Sequence, residues 1–241
     1  MASPQPTSRP GGRASTRTGR GRFGDAAWGL AAAAVAMLAW QAATRTWVMD
    51  PVVQVAGAYL SVWIPLAAAS LVAVFVHGSG SPARDLGLRF GWIDPLWGLG
   101  VGMLAAGLAA LVGRWLTGAA GAAVLDPGPW AWLTLGIVPI VIAPVIEETY
   151  FRGLLQPAVA ERTRHAGASP ITAAATGVIV SALCFAALHA LAAPTPISAL
   201  LAAIAPFAVG VGCGILTVLT GRIGGAIIAH AVANAAVLWM R

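Results

Sequence analysis

The chain has 241 residues, of which 59% are hydrophobic and only 9% charged, with a mean hydropathy of +0.82. Soluble domains carry about 25% charged residues, so this composition excludes an ordinary soluble protein and implies an all-α, polytopic transmembrane bundle. The net charge of +6 comes from 14 arginines and no lysine. It does not argue for nucleic acid, because most of the arginines fall where the positive-inside rule wants them, and the bilayer is the expected partner.

Met1 to Gly24 is rich in Ser, Thr, Pro, Gly and Arg and has little to bury. It reads as a disordered cytosolic tail, residues 1–24, ahead of a transmembrane domain over residues 25–241. No twin arginine precedes the first apolar run and more spans follow it, which predicts a retained helix rather than a cleaved signal. Seven stretches approach the ~20 residues needed to cross the hydrocarbon. They are Ala26–Ala43, Pro51–Val76, Ile93–Leu116, Trp130–Ala160, Pro170–Ala190, Pro196–Thr220 and Ile223–Met240. The tight Thr220-Gly221-Arg222 turn makes the last two an antiparallel hairpin.

Arginine placement predicts a cytosolic N-terminus. In that orientation Arg9, Arg13, Arg17, Arg20, Arg22, Arg84, Arg89, Arg162, Arg164 and Arg222 lie inside. Only Arg45, Arg114 and Arg241 lie outside, with the C-terminus. Tryptophans agree, with Trp40, Trp47, Trp115, Trp130, Trp132 and Trp239 at the outer interface and Trp28, Trp92 and Trp97 at the inner one. Trp63 falls mid-span and reads as packing. Cys184 and Cys213 sit inside apolar runs and read as small hydrophobes, with no disulfide framework.

The fourth span carries Glu147, Glu148 and Arg152. An ionisable group near the bilayer centre costs roughly 2.5–3.5 kcal/mol on insertion scales, so such groups mark function or a buried pair. Helical spacing puts Glu148 and Arg152 on one stripe, acid first, the favoured order for an ion pair. Glu147 points about 100° away, and its own i+4 neighbour is Phe151. A purely structural bridge accounts for Glu148 and Arg152 but leaves Glu147 without a purpose. Pro139, Pro144 and Pro157 are kink points in a span some 30 residues long.

Two more spans carry histidine at depth. Phe185 and His189 share one face of the fifth, and His230 and Asn234 share one face of the seventh. Convergence of these groups on one site is expected, in a cavity open to the cytosolic half. His77 and His165, at a helix end and in a loop, read as bystanders.

An unpaired carboxylate in a low-dielectric cavity is a candidate general base, and Glu147 is that carboxylate. Glu148 with Arg152 then orients it. A histidine beside Glu147 can share a water, and His230 with Asn234 can donate to a developing oxyanion. A second option is metal. Glu147, His189 and His230 match the ligand set of hydrolytic Zn²⁺ sites with an open fourth position, and the sequence leaves the two open. The HExxH signature is absent. Ser181 and Cys184 are poorly placed as nucleophiles, Ser181 two turns before His189 and Cys184 off its stripe.

The ordered trio Glu147-Glu148-x-x-x-Arg152, Phe185-x-x-x-His189 and His230-x-x-x-Asn234 resembles the three motifs of the CAAX protease and bacteriocin-processing family. Leu86-Gly87-Leu88-Arg89 resembles a segment that family carries before its core helices, so the likeness covers about residues 85–240. The resemblance implies an intramembrane endopeptidase acting on membrane-associated protein or peptide substrates. It also implies Glu147, Glu148, Arg152, His189, His230 and Asn234 as the site. Family members include prenyl-protein proteases and proteins linked to bacteriocin maturation or immunity; both metal and metal-free glutamate mechanisms are argued for them. We favour Glu147 as base, His189 as its water-sharing partner, and His230 with Asn234 as oxyanion stabilisers. A non-catalytic scaffold or immunity partner is the main competing class. A proton-coupled transporter would also bury Glu and His, but would show paired repeats or matched broken helices, and neither is evident.

Overall fold

The computed structural model describes residues 12–117, 133–193 and 195–239. Trp130 and Trp132, assigned above to the outer interface, lie outside these residues, as do Arg9 and Arg241. Helices dominate, and no strand occurs among the described residues. They are α1 (Gly12–Thr46), α2 (Pro51–Phe75), the short α3 (Pro82–Asp85), α4 (Asp94–Thr117), π1 (Leu133–Ile142), α5 (Ala143–Tyr150), π2 (Phe151–Leu155), α6 (Gln156–His165), α7 (Pro170–Leu191), α8 (Pro196–Thr220) and α9 (Gly224–Trp239).

Local chemistry sets several of these boundaries. Asp50, Ser169 and Thr195 each precede a proline, and each accepts a hydrogen bond from a backbone N–H of the first turn: Val52, Thr172 and Ser198 respectively. A polar cap followed by proline is the favoured helix start, since proline lacks only an N–H that would have gone unpaired. Gly221 ends α8 at φ 66°, a left-handed conformation that glycine adopts at little cost. That turn makes the α8–α9 hairpin.

Five helical stretches are long and apolar enough to cross a membrane: Gly21–Thr46, Pro51–Phe75, Asp94–Val112, Pro170–Leu191 and Pro196–Thr220. The unbroken helical run from Leu133 to His165 and the shorter apolar stretch Gly224–Ala236 bring the bundle to about seven spans. Ile64, Leu104, Ile171 and Leu219 are exposed on its flanks, a liability in water and the normal state of side chains that face lipid. This is a multi-pass membrane protein.

One boundary differs from the sequence reading. α1 begins at Gly12, inside the stretch expected to be a disordered tail. The last proline of the tail is Pro10, and beyond it nothing stops a helix nucleated in the apolar span from propagating backwards.

Packing pairs α1 with α2, α7 with α8, and α9 with α4. Leu66, Val74, Tyr150, Phe151, Leu154, Phe185 and Leu188 form the main core around α5 and π2. A second core of Val209, Cys213, Ala226, Ala229 and Ala233 uses small residues to bring α8 and α9 together. Cys213 behaves as the small hydrophobe expected, fully buried with its thiol toward the Ala226 carbonyl. On the α4 side the approach is closer still: a Cβ on Gly102 would lie 2.4 Å from the Ala229 carbonyl oxygen.

The segment Leu86–Arg89 has a structural task. The Gly87 carbonyl accepts from the Ile223 N–H at 2.9 Å, the Arg89 carbonyl from the Gly224 N–H at 3.1 Å, and the Arg89 guanidinium donates to the Gly221 carbonyl at 3.0 Å. Arg222 completes the clasp by pairing with Asp94 at 2.7 Å. The loop ahead of α4 thereby fixes the start of α9. His77, just past the end of α2, places Nδ1 2.7 Å from buried Asp25 of α1 and so ties the two helices together.

Candidate active site

The helical run bearing the two glutamates changes winding at its prolines. Pro139 lies inside π1, Pro144 in the first turn of α5 and Pro157 in the first turn of α6. The kinks expected at these prolines thus take the form of switches between π and α winding. Wide π turns recur at functional sites because they re-aim side chains without breaking the helix. Here π2 begins three residues after Glu148 and contains Arg152.

Glu148 and Arg152 pair as the spacing predicts, Oε1 to Nη1 at 3.1 Å, with both side chains fully buried. The contact is close but off the hydrogen-bonding direction, so charge rather than a directed bond holds it. The guanidinium carbon also sits 4.8 Å from the centre of the Phe185 ring, a cation–π contact that helps keep the charge in place.

Glu147 has a partner that spacing along its own helix cannot reveal. The Trp63 indole N–H, from α2, donates to Oε1 at 3.0 Å in a buried contact. The tryptophan read above as packing is a hydrogen-bond donor to the proposed base. No signal in the sequence marks it beyond its mid-span position.

His230 stands between the two glutamates. Its Nδ1 is 2.8 Å from Glu148 Oε1 and its Nε2 is 3.7 Å from Glu147 Oε2. An ionised carboxylate only accepts, so with Glu148 charged against Arg152 the Nδ1 carries a proton and donates it. A neutral ring then has an acceptor lone pair at Nε2.

His189 and Asn234 are placed differently from the reading above. His189 Nδ1 donates to the Phe185 carbonyl at 2.9 Å, and among the described residues His189 forms no ion pair with either glutamate. The Phe185 ring packs edge-on against both imidazoles, with centroids 4.6 Å from His189 and 5.4 Å from His230. Asn234 donates from Nδ2 to the Pro139 carbonyl at 2.9 Å, which ties α9 to π1. In π winding the Pro139 carbonyl would pair with the N–H of residue 144, but Pro144 has none, which leaves that carbonyl for the amide. Ser181 is spent on the Phe151 carbonyl at 2.9 Å, as a residue outside the chemistry would be.

The zinc option can be tested against this arrangement. Glu147 Oε2 and His230 Nε2 face each other, but the third expected ligand, His189, does not join them. Among the described residues, no three of His, Cys, Asp and Glu gather closely enough to hold an ion. The His230 nitrogens also point opposite ways, so Glu148 cannot replace His189 around the same centre. The residues as placed do not fit a three-ligand site.

Residues 129–236 match the family model described as Type II CAAX prenyl endopeptidase Rce1-like. This segment is similar to an Rce1-like domain. It agrees with the family that the three sequence motifs resemble, a family of membrane proteases. No curated relative and no solved structure matches the chain. The matched segment contains all seven named residues of the motif trio, from Glu147 to Asn234. It leaves out α1, α2 and α4, so Trp63 reaches the site from beyond the matched segment.

Proposed function

We propose that this protein is an intramembrane endopeptidase that hydrolyses peptide bonds of membrane-associated protein or peptide substrates, with Glu147 activating the water. The observation that carries this reading is the inequality of two adjacent carboxylates. Glu148 is held by Arg152 and His230, whereas Glu147 keeps Oε2 facing His230 Nε2 across 3.7 Å, a gap that one water can bridge. Such a water donates one proton to Oε2 and the other to the neutral Nε2, leaving its lone pairs free for a carbonyl carbon.

The step follows from those contacts. As the water oxygen bonds to the scissile carbon, its proton passes to Glu147 and the carbonyl π pair moves onto oxygen. Collapse of the tetrahedral intermediate breaks the C–N bond, and the proton held by Glu147 goes to the leaving amine. Asn234 keeps a second amide N–H for the oxyanion, and His189 keeps Nε2 for the leaving group or water. Glu148 and Arg152 hold the His230 tautomer that this arrangement needs. The arginine asymmetry supports a place in the cell membrane with the N-terminus in the cytosol.

The test is cleavage of a quenched reporter peptide by purified protein in detergent. Wild-type turnover that vanishes in Glu147→Gln, with folding intact, is the expected result. Wild-type protein that cleaves nothing from a broad peptide library would favour the scaffold class. Proton-coupled substrate flux in liposomes would favour the transporter.

A further inference from the structure

The donor that α2 places on Glu147 lies outside the matched segment and outside every motif of the sequence. We infer that Trp63 is a positioning residue for hydrolysis: its indole N–H decides which oxygen of Glu147 acts as the base. The inference rests on the reading of Glu147 as the base.

A glutamate side chain has three rotatable bonds, and its carboxylate exposes two equivalent oxygens. Something must break that equivalence if a water is to be met in one geometry. Glu148 is fixed by a charge pair on its own helix, but Glu147 has no such neighbour, since its i+4 position is Phe151. The bond at 3.0 Å from Trp63 supplies the missing constraint from a different helix. Oε1 is engaged, so Oε2 is the oxygen left to face His230. An indole nitrogen can only donate, and a hydrogen bond to a charged acceptor is roughly twice as strong as one between neutral groups. The donor therefore holds the carboxylate in one orientation.

The donor is itself held. Trp63 is 7% exposed, and the Tyr59 ring one turn earlier stacks on it with centroids 4.7 Å apart and planes 1° from parallel. Rotation of the indole away from Glu147 would break that stack and leave a buried N–H without an acceptor, which carries the full desolvation penalty. Tyr59, Trp63 and Glu147 thus form a chain from a ring stack to an aimed carboxylate. Misplacement of a catalytic group by about 1 Å costs on the order of 100-fold in rate, so a constraint of this kind acts on turnover rather than on binding.

The experiment compares Trp63→Phe with wild type in the reporter-peptide assay, with Glu147→Gln measured in parallel. Phe keeps a ring to stack on Tyr59 and removes the donor, along with part of the indole's bulk. The expected result is a fall in kcat of about 10- to 100-fold with KM within about twofold. Replacing Trp63 by 3-benzothienylalanine, which exchanges the N–H for sulfur at nearly constant shape, should reproduce that fall even if Phe disturbs packing. Unchanged kcat in the benzothienyl protein, while Glu147→Gln abolishes turnover, would overturn the role of Trp63 and leave the base assignment standing. A rise in KM at constant kcat would overturn it too, because the residue would then act on binding. Turnover surviving in Glu147→Gln would instead remove the base assignment, and this inference with it.

Discussion

Glu148 and Arg152 lie one helical turn apart, with 3.1 Å between Oε1 and Nη1 and neither side chain reached by solvent. In a low-dielectric bundle, removing one member leaves the other charge buried and unpaired, at a cost of about 3–5 kcal/mol. Glu148→Gln and Arg152→Gln are each expected to lose that order of stability as well as activity. The double variant removes both charges and should recover part of the stability without restoring turnover. Thermal unfolding in detergent of the four proteins measures this. A strictly additive loss in the double variant would show that the two residues are not coupled.

Gly102 and Gly100 offer a paired test of how α9 is held. A Cβ at Gly102 would lie 2.4 Å from the Ala229 carbonyl oxygen, one residue from His230, whereas a Cβ at Gly100 would meet nothing within 4 Å. Gly102→Ala should therefore push α9 off α4, costing about 1–3 kcal/mol and lowering turnover through displacement of His230. Gly100→Ala should be neutral or slightly stabilising, since alanine favours the helix. Melting temperatures and cleavage rates of the two variants, measured side by side, distinguish close helix packing from a general intolerance of α4.

Reporter fusions are expected to find Arg84–Arg89 and Arg162–Arg164 on the cytosolic side and the C-terminus outside. The reason is the ten-to-three excess of arginines on that side in the N-in orientation. Either loop on the outer face would reverse the orientation and, with it, the side from which substrate enters.

Turnover is expected to survive exhaustive chelation. The ground is side-chain geometry: among the described residues no three of His, Cys, Asp and Glu gather closely enough to hold an ion. Stoichiometric zinc in active protein, lost together with activity in His189→Ala and His230→Ala, would reverse this expectation.

Much of the fold was legible because its causes are local or compositional. Low charge and long apolar runs require spanning helices whatever their arrangement, and Asp50-Pro51, Ser169-Pro170 and Thr195-Pro196 mark helix starts by their own chemistry. The Glu148–Arg152 pair was legible for the same reason. Residues four apart on a helix are neighbours before any other helix is considered. α1 extends further back than composition suggests, because composition reports what a segment can bury, while propagation from a neighbouring span decides where a helix begins.

The site itself divides along that line. The sequence by itself determined that Glu147 leaves its helix's ion-pair stripe and that histidines occupy two further spans. Only the tertiary structure decided which groups meet. His230 rather than His189 lies between the carboxylates, Asn234 bonds to Pro139, and the donor to Glu147 is Trp63 from a helix some 80 residues earlier, at a sequence separation of 84. Each of these contacts depends on the rotation and depth of one helix against another. Those are set by small-residue contacts such as Gly102 against Ala229, by the clasp of Arg222 on Asp94, and by the Phe185 ring packed against both imidazoles. A shift of one residue in register moves a side chain by about 100° around its helix, so spacing along one helix fixes the neighbours on it and leaves the partners across the bundle to packing.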